Sequence, residues 1–407
     1  MMGRTAWPML ALAGAAGMAA AAPPAVEGSL RAAWYTESAE FDQRGDVAAT
    51  ALWLKTSPAL SDNVTLVAEG WVRNDNTTGD GPTRARMREG YLDVTGEAWD
   101  LRLGQQLIIW GRADRINPTD NVTPRDYTML TPEDVDQRRG VQAMRLRYRN
   151  DAATVSAYWL PVFRPSTMPM AAPPGLRWHQ QTPSALQGAL RIDGAGTVDW
   201  SLSYLNALDV NPDLQVQAAG PSGVDVALIH RRVRVLGADA ATVVGRYGLR
   251  AEAAYTWTGS SADPLVKKPF LYLVAGGDRT FGEHFNVNLQ YYLRHVTHWQ
   301  DPRQLGDPAL RALALGAAVG ASQGDRFQHG FTYRIANKWW NETLEGELAG
   351  VVSLTRRDWA FKPRLTYALS DHWRATAGMN WYRGEEATFF GALAPTSSAF
   401  VELRYGF

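Results

Sequence analysis

Apolar and polar residues alternate in the last segment of this chain, and the pattern restricts the folds available to it. In residues 397–407, every second position is apolar: Ala399, Val401, Leu403, Tyr405 and Phe407. The intervening positions are Phe400, Glu402, Arg404 and Gly406. Because side chains alternate between the two faces of a β-strand, one face of this strand suits lipid and the other suits water. The segment alone is also compatible with an edge strand of a soluble β-sandwich.

Segments with the same two-residue period recur along the chain. The apolar positions of three clear examples are Phe285, Val287, Leu289, Tyr291 and Leu293; Trp359, Phe361, Pro363, Leu365, Tyr367 and Leu369; and Trp373, Ala375, Ala377, Met379 and Trp381. Alternation in segments of about ten residues is typical of transmembrane β-barrels. A soluble β-propeller or sandwich is the competing architecture, but no repeat period of the propeller kind is present.

Composition favours a barrel that lies in a membrane. The 407 residues include 16 Trp and 15 Tyr, and such amphipathic rings favour membrane interfaces. Beyond the first 22 positions, no segment has the roughly 18 consecutive apolar residues of a spanning helix. Only helices and closed barrels satisfy every backbone polar group in lipid. The sequence therefore predicts an all-β fold, a transmembrane antiparallel up-and-down β-barrel.

The N-terminal residues predict export from the cytoplasm. Residues 1–4 give a short basic start, residues 5–20 are apolar, and residues 19–22 are four alanines that offer A-x-A cleavage sites. This is the pattern of a secretory signal peptide. We expect residues 1–22 to be removed by cleavage near Ala22 and residues 23–407 to form the barrel. The two features together predict the bacterial outer membrane as the location.

Connections between the predicted strands alternate between short and long. The short ones lie near 95–97, 149–151, 193–196, 281–284, 337–341 and 370–371, and the long ones near 38–46, 74–82, 110–137, 163–183, 207–224, 259–267, 298–325 and 384–396. Bacterial barrels have short periplasmic turns and long outer loops, so we expect about 18 strands (16–18), with both ends of the barrel chain periplasmic.

Two of these regions need separate interpretation. Residues 226–240 form either one long strand or a loop exit followed by a strand. In the 298–325 connection, Asp307 and Pro308 predict the start of a short helix over 309–318, since Asp is a good N-cap and Pro fits the first helical position. This helix is apolar on most faces, so we expect it to pack at the barrel mouth or inside the lumen.

Arginines occupy water-facing positions on three consecutive predicted strands. The predicted pore-lining residues are Arg84, Arg86, Arg88, Arg102, Gln106, Arg145, Arg147 and Arg149. Consecutive barrel strands are neighbours, so these side chains share one wall, and no comparable set of acids lies on the same strands. Arg232 and Arg234 are also predicted to face the lumen. Arginine rings favour anions, because guanidinium groups hold carboxylate or phosphate in water. The alternative is mutual neutralisation of charges in a wet or plugged interior.

The 110–137 connection is the second candidate for function. Its candidate constriction residues are Asp114, Arg115, Asp120, Arg125 and Asp126. A loop of this length with no obvious secondary structure is usually functional or disordered. Either its acids face the arginines and narrow the pore, or it is a surface loop whose charges pair with one another.

Two local patterns resemble those of known proteins. A last strand that ends in Phe407 resembles the C-terminal signal by which the assembly machinery recognises outer-membrane barrels. Residues 101–111 (LRLGQQLIIWG), followed by Asn117 and Pro118, resemble a region of porin-like outer-membrane proteins related to the alginate export family. The resemblance implies a channel for anionic sugars or polymers, with its arginine-rich lumen at Arg84, Arg86, Arg88, Arg102 and Arg145.

The sequence thus predicts a channel for passive passage of anionic, saccharide-like solutes. The alternatives are a structural or gated barrel whose lumen is plugged by loops, and an outer-membrane hydrolase. The hydrolase is disfavoured because the chain has no H-E-x-x-H and no cysteine. We expect no catalytic residue, metal or cofactor. The 41 basic and 41 acidic residues give no net charge that would attract nucleic acid. Membrane lipid, the assembly machinery and the solute are the expected partners; the sequence leaves the oligomeric state open.

Overall fold

The computed structural model describes residues 25–41, 45–75, 83–169, 175–221, 223–259 and 262–407. The predicted signal peptide, residues 1–22, lies outside these ranges. The described strands, in chain order, are β1 (Val26–Tyr35), β2 (Val47–Thr56), β3 (Ala59–Ser61), β4 (Val64–Asp75), β5 (Thr83–Thr95), β6 (Trp99–Gln106), β7 (Val141–Arg149), β8 (Thr154–Leu160), β9 (Leu176–Gln180), β10 (Gln187–Gly194), β11 (Asp199–Leu208), β12 (Asp213–Gly220), β13 (Gly223–Ile229), β14 (Arg232–Val244), β15 (Tyr247–Trp257), β16 (Phe270–Phe281), β17 (Phe285–Val296), β18 (Phe327–Trp339), β19 (Leu344–Ser353), β20 (Trp359–Ala368), β21 (Trp373–Arg383) and β22 (Ser398–Gly406).

Eighteen of these strands form one closed antiparallel barrel. Each barrel strand pairs with the next along the chain, and β22 closes the ring by pairing with β1, from Ser29 opposite Gly406 to Tyr35 opposite Phe400. Closure leaves no unpaired barrel edge, which is what a sheet in lipid requires. The predicted fold class and strand number are therefore confirmed.

Four strands lie outside the barrel ring. β3 is a short strand beside β4, and β9, β12 and β13 form a small separate sheet in the outer connections. Residues 226–240 are thus a loop exit followed by a barrel strand, β13 and then β14, which decides between the two interpretations of this region.

The outward face carries the apolar set that the alternation predicts. Val401 and Leu403 on β22, Leu289 on β17 and Trp381 on β21 are all exposed. Their strand neighbours Phe400 and Gln290 are buried. Side chains therefore alternate between a lipid-facing surface and the barrel interior, as expected for a transmembrane barrel.

The connections also follow the predicted alternation, with one addition. Short turns join the strands at the end that carries the N-terminus of β1, and the opposite end, which we call the outer end, carries the longer loops. The addition is the outer connection 354–358 between β19 and β20, which was not among the predicted long loops because it is as short as a turn.

The helices all lie in the outer connections. α1 (Pro308–Gly320) begins at the predicted cap, where the Asp307 carboxylate accepts hydrogen bonds from the backbone N–H groups of Ala309 and Leu310. α2 (Phe389–Leu393) lies in the last outer loop and is in contact with α1. The 3-10 helices are Asp134–Gln137, Pro302–Gln304 and Ala394–Thr396. Among the described residues, no helix is long and apolar enough to cross a membrane.

A cluster of buried apolar residues lies inside the barrel. Ile108, Trp110 and Val122, from the connection after β6, pack against inward residues of β7 to β15, among them Leu205 and Val235. Part of the lumen is therefore dry.

The dry interior changes which residues of β14 face inward. Val233 and Val235 are buried in this cluster, whereas Arg232 and Arg234 are exposed on the outward face. The prediction that these two arginines face the lumen was wrong.

Candidate functional site

The connection between β6 and β7, residues 107–140, crosses the interior of the barrel; we call it the lumen loop. On one side it reaches β14, where Arg112 Nε lies 2.8 Å from a carboxylate oxygen of Asp239. On the other side it reaches β1, where Arg31 lies 2.8 Å from Asp136. A loop bound to opposite walls divides the lumen into an outer and an inner part.

Glu252 on β15 holds the first half of the lumen loop. One of its oxygens accepts hydrogen bonds from the backbone N–H (2.7 Å) and the hydroxyl (2.8 Å) of Thr119. The other oxygen accepts from the backbone N–H groups of Arg112 (3.1 Å) and Ala113 (3.2 Å). Gly111 lies against the same carboxylate with φ +92°, and a Cβ at this position would come within 2.6 Å of an oxygen of Glu252. The loop can take this path because residue 111 has no side chain.

Ion pairs fix the tip of the lumen loop to the wall formed by β19 and β20. Arg115 lies 2.8 Å from Glu347. Glu133 lies 2.6 Å from Arg364, and Asp134 lies 3.3 Å from Lys362. The charges of Lys362 and Arg115 outweigh the effect of burial and hold the pKa of Asp134 below its ordinary value. Asp134 is therefore ionised at neutral pH.

Asp126 joins the lumen loop to the wall of arginines predicted from the sequence. Its carboxylate accepts hydrogen bonds from Arg86 and, at 2.6 Å, from the hydroxyl of Thr128. Burial favours the neutral acid, but these two hydrogen bonds outweigh it and leave the pKa of Asp126 below its ordinary value. The next wall arginine, Arg88, binds Glu69 at 2.8 Å and lies 3.8 Å from Asp136.

A β-bulge on β5 explains how Arg88 joins this wall. Glu69 of β4 is opposite Glu89, but the next residue, Gly70, is opposite Met87, so Arg88 is the extra residue. Before the bulge the inward residues of β5 are Arg84, Arg86 and Arg88. After it the register shifts by one residue, so the inward residues are Glu89 and the buried Tyr91.

The remaining predicted wall arginines surround two acids nearer the end of the barrel that carries the short turns. Asp100, only 2 % exposed, accepts hydrogen bonds from Arg145 (3.2 Å), Arg147 (2.8 Å) and Arg149. Arg102 pairs with Asp93 and lies 4.0 Å above the ring of Tyr91. The sequence predicted no comparable set of acids on these strands; Asp93 of β5 and Asp100 of β6 nevertheless lie on them and face the same side as the arginines.

Even with these acids the wall carries excess positive charge. Its seven arginines are Arg84, Arg86, Arg88, Arg102, Arg145, Arg147 and Arg149, and they share five carboxylates within 4.0 Å: Glu69, Asp93, Asp100, Asp126 and Asp136. Gln106, the eighth predicted position, is 1 % exposed, and its amide donates to the carbonyl of Ala143 at 3.0 Å.

An outer cavity of about 520 Å³ lies between the lumen loop, the first outer connection and the wall. Arg84, Arg139 and Arg164 line it, and within the described residues none of the three has a carboxylate within 4.0 Å. Arg139 donates to the hydroxyl of Thr167 at 2.9 Å. Arg164 donates to the carbonyl of Gly140 at 2.8 Å. Burial, together with the charge of Arg86, lowers the pKa of both Arg139 and Arg164, but arginine stays protonated at neutral pH.

An inner cavity of about 440 Å³ lies on the other side of the lumen loop. Arg112, Arg145, Arg147 and Arg191 line it, with Asp193 as the acidic residue. Arginines therefore line the cavities on both sides of the lumen loop.

The predicted loop residues occupy different positions within this arrangement. Arg115 and Asp126 bind opposite walls, as described above, and Asp114 donates its backbone N–H to Gln290 at 3.1 Å. Asp120 is bound within the loop, by Arg138 and by Arg125 at 3.7 Å. The two alternatives for this loop are thus both partly realised, since some of its charges pair with the walls and others with the loop itself.

Arg164 was not among the site residues predicted from the sequence. It lies in the connection 161–186, where no periodic pattern indicates which side chains turn inward. Asp100 was detectable, because counting two-residue phase along β6 places it on the face of Arg102. Asp93 was not, because the β-bulge at Arg88 shifts the inward phase of β5 by one residue before Asp93 is reached.

Neither a protein-family model nor a curated relative matches the sequence. Two solved structures of Pseudomonas aeruginosa outer-membrane porins are similar in fold. OccK11 (OpdR) is 10 % identical with a TM-score of 0.55, and the alignment covers 94 % of this chain and 95 % of that one. OpdK, solved with vanillate, is 10 % identical with a TM-score of 0.55, covering 94 % of this chain and 98 % of that one. The chain therefore has the 18-strand fold of outer-membrane porins.

Proposed function

We propose that this protein is a passive outer-membrane channel for small anionic solutes, including acidic sugars and other carboxylates. The observation that carries the proposal is the outer cavity, where Arg84, Arg139 and Arg164 have no carboxylate partner in the described chain. A guanidinium group without a counter-ion offers paired N–H donors to a carboxylate or phosphate. In this proposal the barrel gives the solute a route through the membrane, and the arginines make anions pass more readily than neutral solutes.

Passage would take place by weak binding at successive arginines. A solute anion enters the outer cavity, passes the lumen loop near Arg86 and Arg88, and meets Arg145 and Arg147 in the inner cavity. Several weak sites in series let an ion enter and leave, whereas one tight site would retain it. Asp100 and Asp126 keep the binding weak, because they neutralise part of the positive charge of the wall and so reduce its affinity for the solute.

The crossing loop favours small solutes over a polymer. The lumen loop touches both walls, and each cavity beside it measures only about 440–520 Å³. A monosaccharide acid or a single-ring carboxylate suits these dimensions, and vanillate, with which OpdK was solved, is such a carboxylate. The relation to alginate export proteins, which implied polymer transport, gains no support from this geometry.

Uptake by proteoliposomes tests the proposed function. We expect the refolded protein to admit glucuronate and vanillate faster than glucose, which has a similar size to glucuronate but no charge. Arg84→Gln combined with Arg139→Gln should reduce the advantage of the anions severalfold and leave glucose uptake unchanged. Arg246→Gln, in an exposed periplasmic turn, is the matched control. Equal rates for glucuronate and glucose would contradict the proposal.

A gated barrel is the second candidate, and the double attachment of the lumen loop favours it. If the ion pairs of Arg115 and Asp136 hold the loop across the whole lumen, no solute passes until they open. Liposomes that contain the wild-type protein would then admit neither glucuronate nor glucose. Liposomes that contain a variant with a freed lumen loop would admit both.

Export and assembly complete the proposal. Cleavage near Ala22 would release a mature chain whose mass, measured on protein from outer membranes, locates the cleaved bond. At the seam of the barrel the backbone N–H and carbonyl of Phe407 both pair with Gly28, so Phe407→Ala should reduce the amount of assembled barrel if the assembly machinery reads this residue.

A further inference from the structure

Arg232 and Arg234, the two arginines predicted to face the lumen, form a pair on the outside of the barrel. They lie two positions apart at the outer end of β14 and are both exposed, while Val233 between them is 6 % exposed. Side chains two apart on a strand share a face and are separated by about 7 Å. Both charges therefore face the membrane side of the barrel.

The height of the pair on the barrel places it at the outer lipid headgroups. Below Arg234, the outward positions from Leu236 to Val244 are Leu, Ala, Ala, Thr and Val. Nine residues of a strand tilted by about 40° rise roughly 20 Å, close to the apolar band of about 25 Å on outer-membrane barrels. Trp257, opposite Arg234 in the ladder, is exposed and packs on Tyr255 at 4.6 Å between ring centroids. This is the aromatic girdle expected at the edge of the band.

The pair has no internal counter-ion. Arg232 donates to the amide oxygen of Asn206 at 2.8 Å and to the carbonyl of Leu186 at 3.1 Å, and both acceptors are neutral. Within the described residues, no carboxylate lies within 4.0 Å of either guanidinium. In the adjoining outer connection, Asp209 is bound by Lys267 at 2.6 Å. Two positive charges thus remain at the level of the headgroups.

We propose that Arg232 and Arg234 bind a phosphate group of a glycolipid in the outer leaflet. The guanidinium fork matches phosphate oxygens and is weakly hydrated, so it binds phosphate well at the edge of lipid. The exposed Leu236 below the pair and Trp257 beside Arg234 would contact the acyl chains of the same molecule. The pair lies outside the lumen, so this lipid site is independent of the proposed solute preference.

Lipid titration of the refolded barrel in detergent tests the site. The probes are lipid A with its two phosphates and the same lipid after removal of both phosphates. A basic residue near a charged membrane surface is worth about a fivefold change in affinity. We therefore expect Arg232→Gln with Arg234→Gln to bind the phosphorylated lipid at least tenfold more weakly than wild type. Binding of the phosphate-free lipid should not change, and conductance should stay at the wild-type level.

Three results would overturn the assignment. The first is binding of both lipids by the double variant as tightly as by wild type. The second is a loss of binding in Arg246→Gln, which replaces an exposed arginine at the opposite rim, as large as in the double variant; this would indicate a general effect of charge. The third is complete displacement of the lipid by inorganic phosphate at millimolar concentration, which would indicate a free-anion site. Loss of anion preference in an otherwise lipid-binding protein would contradict only the proposed channel function.

Discussion

At the scale of single residues, one carboxylate determines where the lumen loop lies. Glu252 accepts four hydrogen bonds from three loop residues, Arg112, Ala113 and Thr119. A carboxylate is suited to this position because it only accepts hydrogen bonds, and the four groups that face it, three backbone N–H groups and one hydroxyl, all donate. The position of the constriction thus depends on the barrel wall as well as on the loop sequence.

Replacing Glu252 by glutamine should loosen the first half of the loop. The amide retains one acceptor oxygen but places an NH₂ group against loop N–H donors, which costs about 1–3 kcal/mol of docking energy. We expect noisier single-channel currents from Glu252→Gln and faster cleavage of the loop by added protease. Glu283→Gln, whose carboxylate is 90 % exposed in a turn, is the control and should behave as wild type. Indistinguishable current noise in the two variants would refute the anchoring role.

Gly111 allows a second test of the same contact. Gly111→Ala places a Cβ 2.6 Å from a Glu252 oxygen and adds a side chain at positive φ, so we expect a displaced loop and an altered conductance. Gly282→Ala is the matched variant, because Gly282 also has positive φ (+60°) but has no neighbour within 4 Å of the added carbon. If both variants shift the conductance equally, backbone strain and not the Glu252 contact is responsible.

At the scale of elements, the lumen loop and the arginine wall are joined by an ion pair that responds to acid. The pKa of Asp126 lies below its ordinary value in the folded protein. Its bond with Arg86 is therefore fully formed above about pH 4, the ordinary range of an aspartate, and is lost as the pH falls through the lower folded pKa.

Neutralising Asp126 should increase anion preference. Protonation or Asp126→Asn removes the counter-charge of Arg86, so we expect the variant at pH 7 to prefer chloride more strongly than wild type. Wild type should approach the same preference only below about pH 4, and the acid-induced change should be smaller in the variant. Reversal potentials between pH 7 and pH 3 measure both effects. An unchanged preference in Asp126→Asn would show that this pair does not border the ion path.

The sequence pattern predicted the strands but not the contacts between the lumen loop and the barrel wall. Two-residue alternation located the barrel strands, because the difference between lipid and interior acts on every strand in the same way. It failed at β14, where the inward residues Val233 and Val235 belong to the same buried apolar cluster as Trp110 of the lumen loop. The interior is dry at this point, so the rule that charged side chains face inward does not hold. Contacts between the loop and distant strands, such as Arg115 with Glu347, leave no trace in local periodicity.

At the scale of the whole molecule, a closed 18-strand barrel surrounds a loop that carries charges of both signs to its walls. Closure through β1 and β22 fixes the wall positions, and the loop brings Arg139 beside Arg84, while the next outer connection adds Arg164. The basic character of the outer cavity is thus a property of the assembled barrel, and no single strand provides it.

The reversal potential of single channels in a KCl gradient tests this account most directly. The refolded wild-type protein should conduct steadily in a planar bilayer and reverse on the chloride side of zero. Arg86→Glu should move the reversal potential toward that of potassium, since it reverses a charge beside the crossing loop. A wild-type channel that prefers potassium, or an Arg86→Glu variant with unchanged preference, would contradict the claim that the arginines select the solute.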